Sequence, residues 1–172
     1  MQLEFSDDPV KAFKQLRLIH FAFAASVLLM VFAAELLASH NDGPMGDLEG
    51  FAWTFRLFIA GYYALLLVPL AVLANERRYV AKGMKVDPRK PDLVVKNALE
   101  ATQIFRSSLS HFPAIVGMIL FILSDERLDL YVPVTVSVLL LALIRPTRKH
   151  WEETYALASR EYPGISPSPW AP

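Results

Sequence analysis

LIHFAFAASVLLMVFAAELLA, residues 18–38, decides the fold. From Phe21 to Ala34 it carries no charge on any face. A helix packed at a water interface would show polar side chains on one side every few residues. A spanning helix needs about 20 mostly apolar residues to cross roughly 30 Å of hydrocarbon. This stretch has that length and that composition. Three further blocks repeat the signal: Thr54–Ala74 (TFRLFIAGYYALLLVPLAVLA), Gln103–Leu123 (QIFRSSLSHFPAIVGMILFIL) and Leu128–Arg145 (LDLYVPVTVSVLLLALIR). Leu57–Ala74 is again free of charge, which counts against the alternative of a soluble four-helix bundle. The third block is the weakest. Its unbroken apolar run starts at Phe112, and its first turns carry Arg106, three serines and His111. The expectation is an all-α protein, a four-transmembrane-helix bundle with spans at about 18–38, 54–74, 103–123 and 128–145 in a single domain over 1–160.

The charges between the blocks alternate. Basic residues beside short loops remain on the cytoplasmic side. The N-terminal segment has Lys11, Lys14 and Arg17. Residues 39–53 have no Lys or Arg and carry Asp42, Asp47 and Glu49. Residues 75–102 hold Arg77, Arg78, Lys82, Lys85, Arg89, Lys90 and Lys96. The turn 124–127 (SDER) sets Arg127 among acids, and the C-terminal segment restores Arg145, Arg148, Lys149 and Arg160. Every crossing agrees with N-in/C-in topology. The short turn makes the last two spans an antiparallel hairpin. The middle loop is broken at Gly83–Pro91 (GMKVDPRKP), with Asn75–Lys82 extending the second span and Pro91–Glu100 opening the third.

Both ends add amphipathic cytoplasmic helices. Asp8–Arg17 starts on an acid and a proline and places Val10, Phe13 and Leu16 on one face. It either lies on the membrane surface or simply extends the first span. Thr147–Arg160 follows Arg145-Pro146, with Trp151 and Tyr155 at i, i+4 as interfacial anchors. Residues 161–172 are proline-rich and expected to be disordered. The first block is too long for a signal core and lacks a small-residue cleavage site, so it is expected to remain as an anchor.

Composition excludes several chemistries. The chain has 172 residues, no cysteine and a formal net charge of zero. Disulfides, thiolate metal sites and thiol catalysis are therefore absent, and no global field draws nucleic acid. There is no nucleotide loop, no HExxH, no Ser–His–Asp order and no intramembrane Asp/Glu pair.

Ionisable groups at membrane depth are costly and are the default site candidates. Glu35 and Arg56 both lie near the external interface, where they form an ion pair or snorkel separately to water. Ser107, Ser110 and His111 share one face of the third span at i, i+3, i+4, with Arg106 beside it. Pro113 frees backbone carbonyls nearby. The cluster reads either as polar glue between helices or as a site for an anionic headgroup, a quinone or a haem. His20, one turn inside the first span, is the second histidine of a possible haem b pair, but its depth differs from that of His111 by roughly 5–10 Å. No cofactor or metal is expected; His40 and Asp42 are too few for a metal site.

Residues 105–117 (FRSSLSHFPAIVG), followed by an apolar run, an acidic turn, a last helix and Arg145-Pro146-Thr147, resemble the second half of small bacterial four-helix inner-membrane proteins of unestablished function. The likeness covers about half the chain. It implies a bacterial inner-membrane location. The stretch also has some likeness to the E-x-x-x-I-x-G helix of rotary-ATPase proteolipids. Here Ser110 and His111 stand near the place of the carboxylate, and the first span lacks a glycine ladder.

The functional expectation is a non-enzymatic accessory, scaffolding or assembly subunit. Its basic cytoplasmic segments would meet anionic lipid or protein partners, as a homo-oligomer or within a larger membrane complex. The alternatives are a haem- or quinone-binding electron-transfer subunit using His111, Arg106 and His20, and a small oligomeric transporter.

Overall fold

The computed structural model describes residues 8–40, 53–54, 56–57, 76–87 and 89–170. Among the described residues the chain is all-helical and contains no strand. The helices are α1 (Pro9–Ala38), α2 (Glu76–Val86), α3 (Pro91–Ser124), α4 (Arg127–Leu143) and α5 (Arg148–Glu161). Trp53, Thr54, Arg56 and Leu57 are also helical; most of the expected 54–74 span lies outside the described residues.

Local chemistry sets the boundaries. Asp8 Oδ1 accepts from the N–H groups of Val10 and Lys11, capping α1 ahead of Pro9. The N-terminal amphipathic segment and the first span are one unbroken helix of 30 residues, so the option of a separate surface helix is not realised. Likewise α3 runs for 34 residues from Pro91, with Asp92 in its first turn and Pro113 inside. It ends at Ser124. Asp125 takes φ 56°, and α4 begins two residues later at Arg127. This is the expected hairpin. Thr147 caps α5 by accepting from His150 N–H.

At 1.5 Å per residue, α1 is about 45 Å long and α3 about 51 Å. Both are long and apolar enough to cross a membrane. α4 has 17 residues, about 26 Å.

The chain divides into two compact units. The first comprises Met1–His20, Val72–Phe105 and Arg145–Pro172; the second comprises Phe21–Ala71 and Arg106–Ile144. Thus α1 and α3 each contribute one part to each unit.

The first unit has an ordinary water-soluble pattern. Phe13, Leu16, Val95, Leu99, Trp151 and Tyr155 fill its core. Its outer surface carries charge, including the Arg148–Glu152 and Lys149–Glu153 pairs at i, i+4 on α5. Trp151 and Tyr155, expected as interfacial anchors, are 1% and 0% exposed. They pack inward because α5 covers α1 and α3 with its apolar stripe. The tail expected to be disordered also packs. Ile165 is buried, Ser166 N–H donates to Asp92 Oδ1 at 2.9 Å, and the Trp170 ring lies 5.5 Å from Phe13. Its aromatic and aliphatic residues offset the ordering cost that a purely polar tail could not.

The second unit is inverted. On α3 the outward residues from Phe112 on are apolar: Phe112, Ile115 and Ile119. The buried ones include Ser107, Ser110 and His111. α1 presents Phe21, Leu28, Leu29, Phe32 and Leu36 outward, and α4 presents Leu128, Val132, Leu139 and Leu143. Between them lies a core of Val27, Ala34, Ala114, Phe121, Leu130 and Leu141. At Gly117 α3 lies close against α4. A Cβ there would lie 2.8 Å from Pro133 Cβ and 3.0 Å from the Asp129 carbonyl oxygen.

Candidate functional site

The polar cluster foreseen on α3 is buried in the second unit. Ser107 is 2% exposed, Ser110 0% and His111 8%. Arg106 is half-buried beside them. His20, half-buried on α1, belongs to the first unit.

His111 has a defined partner that the sequence did not point to. Its Nε2 lies 2.7 Å from Ser26 Oγ on α1, and Ser26 Oγ lies 2.7 Å from the Phe23 carbonyl. A hydroxyl has one proton, and a carbonyl cannot donate. Ser26 therefore donates to Phe23 O, His111 donates through Nε2, and Nδ1 is left as a lone-pair acceptor. The Phe23 ring tilts against the imidazole at 5.5 Å between centroids. One turn on, Pro113 has no N–H, and Ala114 N–H donates out of the helix to Ser137 Oγ at 2.8 Å. Ser137 is completely buried. Ser110 Oγ is buried with no hydrogen-bond partner among the described residues.

The charges around the α3–α4 turn of the second unit pair differently from the expectation. Arg56 grips Asp129, with Nη2 to Oδ2 at 2.6 Å and Nε to Oδ1 at 2.9 Å, and it also reaches Glu126 at 2.7 Å. Ser124 Oγ donates to the same Asp129 oxygen at 2.7 Å. Glu35 instead accepts from Tyr131 at 2.6 Å and lies 3.6 Å from Arg127. The Glu35–Arg56 pair is thus replaced by two pairings with the α3–α4 turn and α4. The reason is geometric: Asp129 offers both oxygens to the planar guanidinium fork, the strongest arrangement available to an arginine. Glu126, Asp129 and Tyr131 could have been noticed as polar residues at the mouth of the hairpin. Ser26 carried no signal, since a lone serine in an apolar helix commonly bonds its own backbone.

The first unit holds its own polar groups. Lys96 and Glu100 are 2% and 6% exposed and lie 3.6 Å apart at i, i+4. Glu76 Oε1 accepts from His150 Nε2 at 2.9 Å, and Thr154 Oγ1 approaches Oε2 at 3.3 Å. Tyr155 donates to the Asp92 carbonyl at 3.2 Å. Burial pushes its phenol well above the usual range, and the charges of Asp92 and Glu100 push the same way.

Chemically, the second unit offers helix-to-helix hydrogen bonds and, at His111, a buried imidazole whose Nδ1 is left as an acceptor. Among the described residues no three His, Asp or Glu side chains converge as a metal site would require. The fold and these pairings define an all-helical protein with two helices able to cross a membrane. Comparison with protein-family models, curated proteins and solved structures gives no match.

Proposed function

We propose that this chain is a four-span integral protein of a bacterial inner membrane, N-in/C-in, acting as a non-enzymatic accessory, scaffolding or assembly subunit. The second unit is the membrane part and the first a folded cytoplasmic platform. The observation that carries the reading is how the polar groups of the second unit are used. Arg56 is held by Asp129 and Glu126, Glu35 by Tyr131 and Arg127, and His111 by Ser26. Such bonds fasten helices together in lipid, where the alternative is an unsatisfied polar group. Transport would instead call for a carboxylate that can change partners. The inverted exposure of α1, α3 and α4 supports a lipid surround, and the loop charges support the orientation. The resemblance to small bacterial inner-membrane proteins agrees with that location.

The decisive experiment is native purification in a mild detergent, with identification of what co-purifies. A stoichiometric membrane-protein partner, or a homo-oligomer, is expected. A monodisperse monomer without any partner would refute the subunit reading. The open Nδ1 of His111 and the unpartnered Ser110 favour one second reading, a haem- or quinone-binding subunit. A Soret band in the purified protein that is lost in His111→Ala would establish the haem form in its place.

A further inference from the structure

Between α2 and α3 runs a cavity of about 380 Å³. That lies within the size range of ligand pockets, roughly 300–1,000 Å³. Its walls are mainly apolar: Gly83 and Val86 from α2, Leu93, Val94, Ala98 and Ala101 from α3. The helices touch at its floor, where a Cβ on Gly83 would lie 2.6 Å from Val94 Cγ1. The groove is left open because small residues, Ala98 and Ala101, stand where larger ones would close it. Val86 at its mouth is 79% exposed and Tyr79 44%. An apolar groove edged by exposed apolar side chains marks a binding surface.

Charge and shape identify the occupant. α2 and the loop behind it expose Arg77, Arg78, Lys82, Lys85, Arg89 and Lys90. Lys82 lines the groove itself; Asp87 is the one carboxylate in the lining and is outnumbered by these cations. Within the groove, Val94, Ala98 and Ala101 form one apolar stripe along α3 at steps of four and three residues. An apolar slot with a basic rim fits an amphiphile with an anionic head group.

We propose that the α2–α3 groove is a binding site for one anionic phospholipid, its acyl chain along Val94, Ala98 and Ala101 and its phosphate at Lys82. The proposal rests on the membrane placement above. It goes beyond general attraction of a basic face to lipid, because it names a single site with a defined slot.

The test uses the full-length protein in detergent, titrated with phosphatidylglycerol or phosphatidylcholine and read by native mass spectrometry. One phosphatidylglycerol is expected to remain bound, with clear preference over phosphatidylcholine. Lys82→Glu should weaken retention by about tenfold or more, since one basic residue is worth roughly fivefold and reversal adds repulsion. Ala101→Phe should block the slot at an exposed position without disturbing the core. Circular dichroism checks that each variant is folded. Equal retention of both lipids, or wild-type retention in both folded variants, would overturn the site while leaving the subunit reading intact. A chain that stays in solution without detergent would overturn both.

Discussion

Ser137→Ala isolates the bond that α4 makes to the α3 backbone beside Pro113. Pro113 removes one donor from the helix ladder and forces its backbone away from ideal geometry. Ala114 N–H then turns to Ser137 Oγ, 2.8 Å away, at a fully buried position on α4. Removing the hydroxyl leaves a buried amide without its acceptor, which costs about 1–3 kcal/mol in a protein interior. Helix-to-helix hydrogen bonds within membranes measure lower, averaging about 0.6 and reaching about 1.7 kcal/mol. The Ser137 bond falls toward the upper end because the methyl of alanine cannot replace the acceptor. The expected loss is therefore about 1.5 kcal/mol. The assay is unfolding of the purified protein in mixed micelles with increasing SDS, followed by circular dichroism. Thr135→Ala, an exposed hydroxyl on the same helix, is the control and should change little. A cycle with Pro113→Ala sharpens the test: without the proline ring, Ala114 N–H can turn back to the Ser110 carbonyl, which should reduce the cost of Ser137→Ala and give a coupling energy. Equal costs for Ser137→Ala and Thr135→Ala, with no coupling to Pro113, would refute the reasoning.

Gly117→Ala should cost about 1–3 kcal/mol in the same assay, because the new methyl meets Pro133 at 2.8 Å and backbone at 3.0 Å. Trp170→Ala removes edge contacts with Phe13 and Trp151 and the Arg148 guanidinium 4.9 Å from its ring. Aromatic pairs contribute about 0.5–1.5 kcal/mol each and the cation about 0.5–1, so melting should fall by several degrees and the tail should become protease-sensitive. Tyr155 has a pH signature. Its phenol is raised in the folded state, so the folded chain keeps a proton that the unfolded chain releases near pH 10. Stability should therefore drop as pH rises through about 10, and Tyr155→Phe should lose that component of the slope. Because the natural chain has no cysteine, single cysteines report sidedness directly. Lys90→Cys and Arg160→Cys should react with an impermeant maleimide only after the membrane is opened, and His40→Cys before; the reverse pattern would invert the topology.

The long helices were legible because length and absence of charge are local properties. No tertiary information is needed to see that Phe21–Ala34 has no water-facing side, or that Pro91 opens α3 and SDER closes it. The Ser107–Ser110–His111 face followed from helical period alone. The partners did not. Which oxygen meets Arg56 depends on where α4 lies beside it, and Asp129 outcompetes Glu35 by presenting two oxygens. Ser26 and Ser137 are ordinary helix serines until a neighbouring helix brings an imidazole or a freed amide within 3 Å. The tail shows the same limit from the other side: its prolines argued for disorder, while Ile165 and Trp170 find an aromatic core that composition cannot reveal. Sequence by itself determined the long apolar helices α1 and α3, the hairpin and the charge alternation, since each arises within a few turns of one segment. Tertiary structure alone decided the pairings and the α2–α3 groove: the pairings join segments far apart along the chain, and the groove depends on how closely two consecutive helices pack, which neither helix fixes by itself.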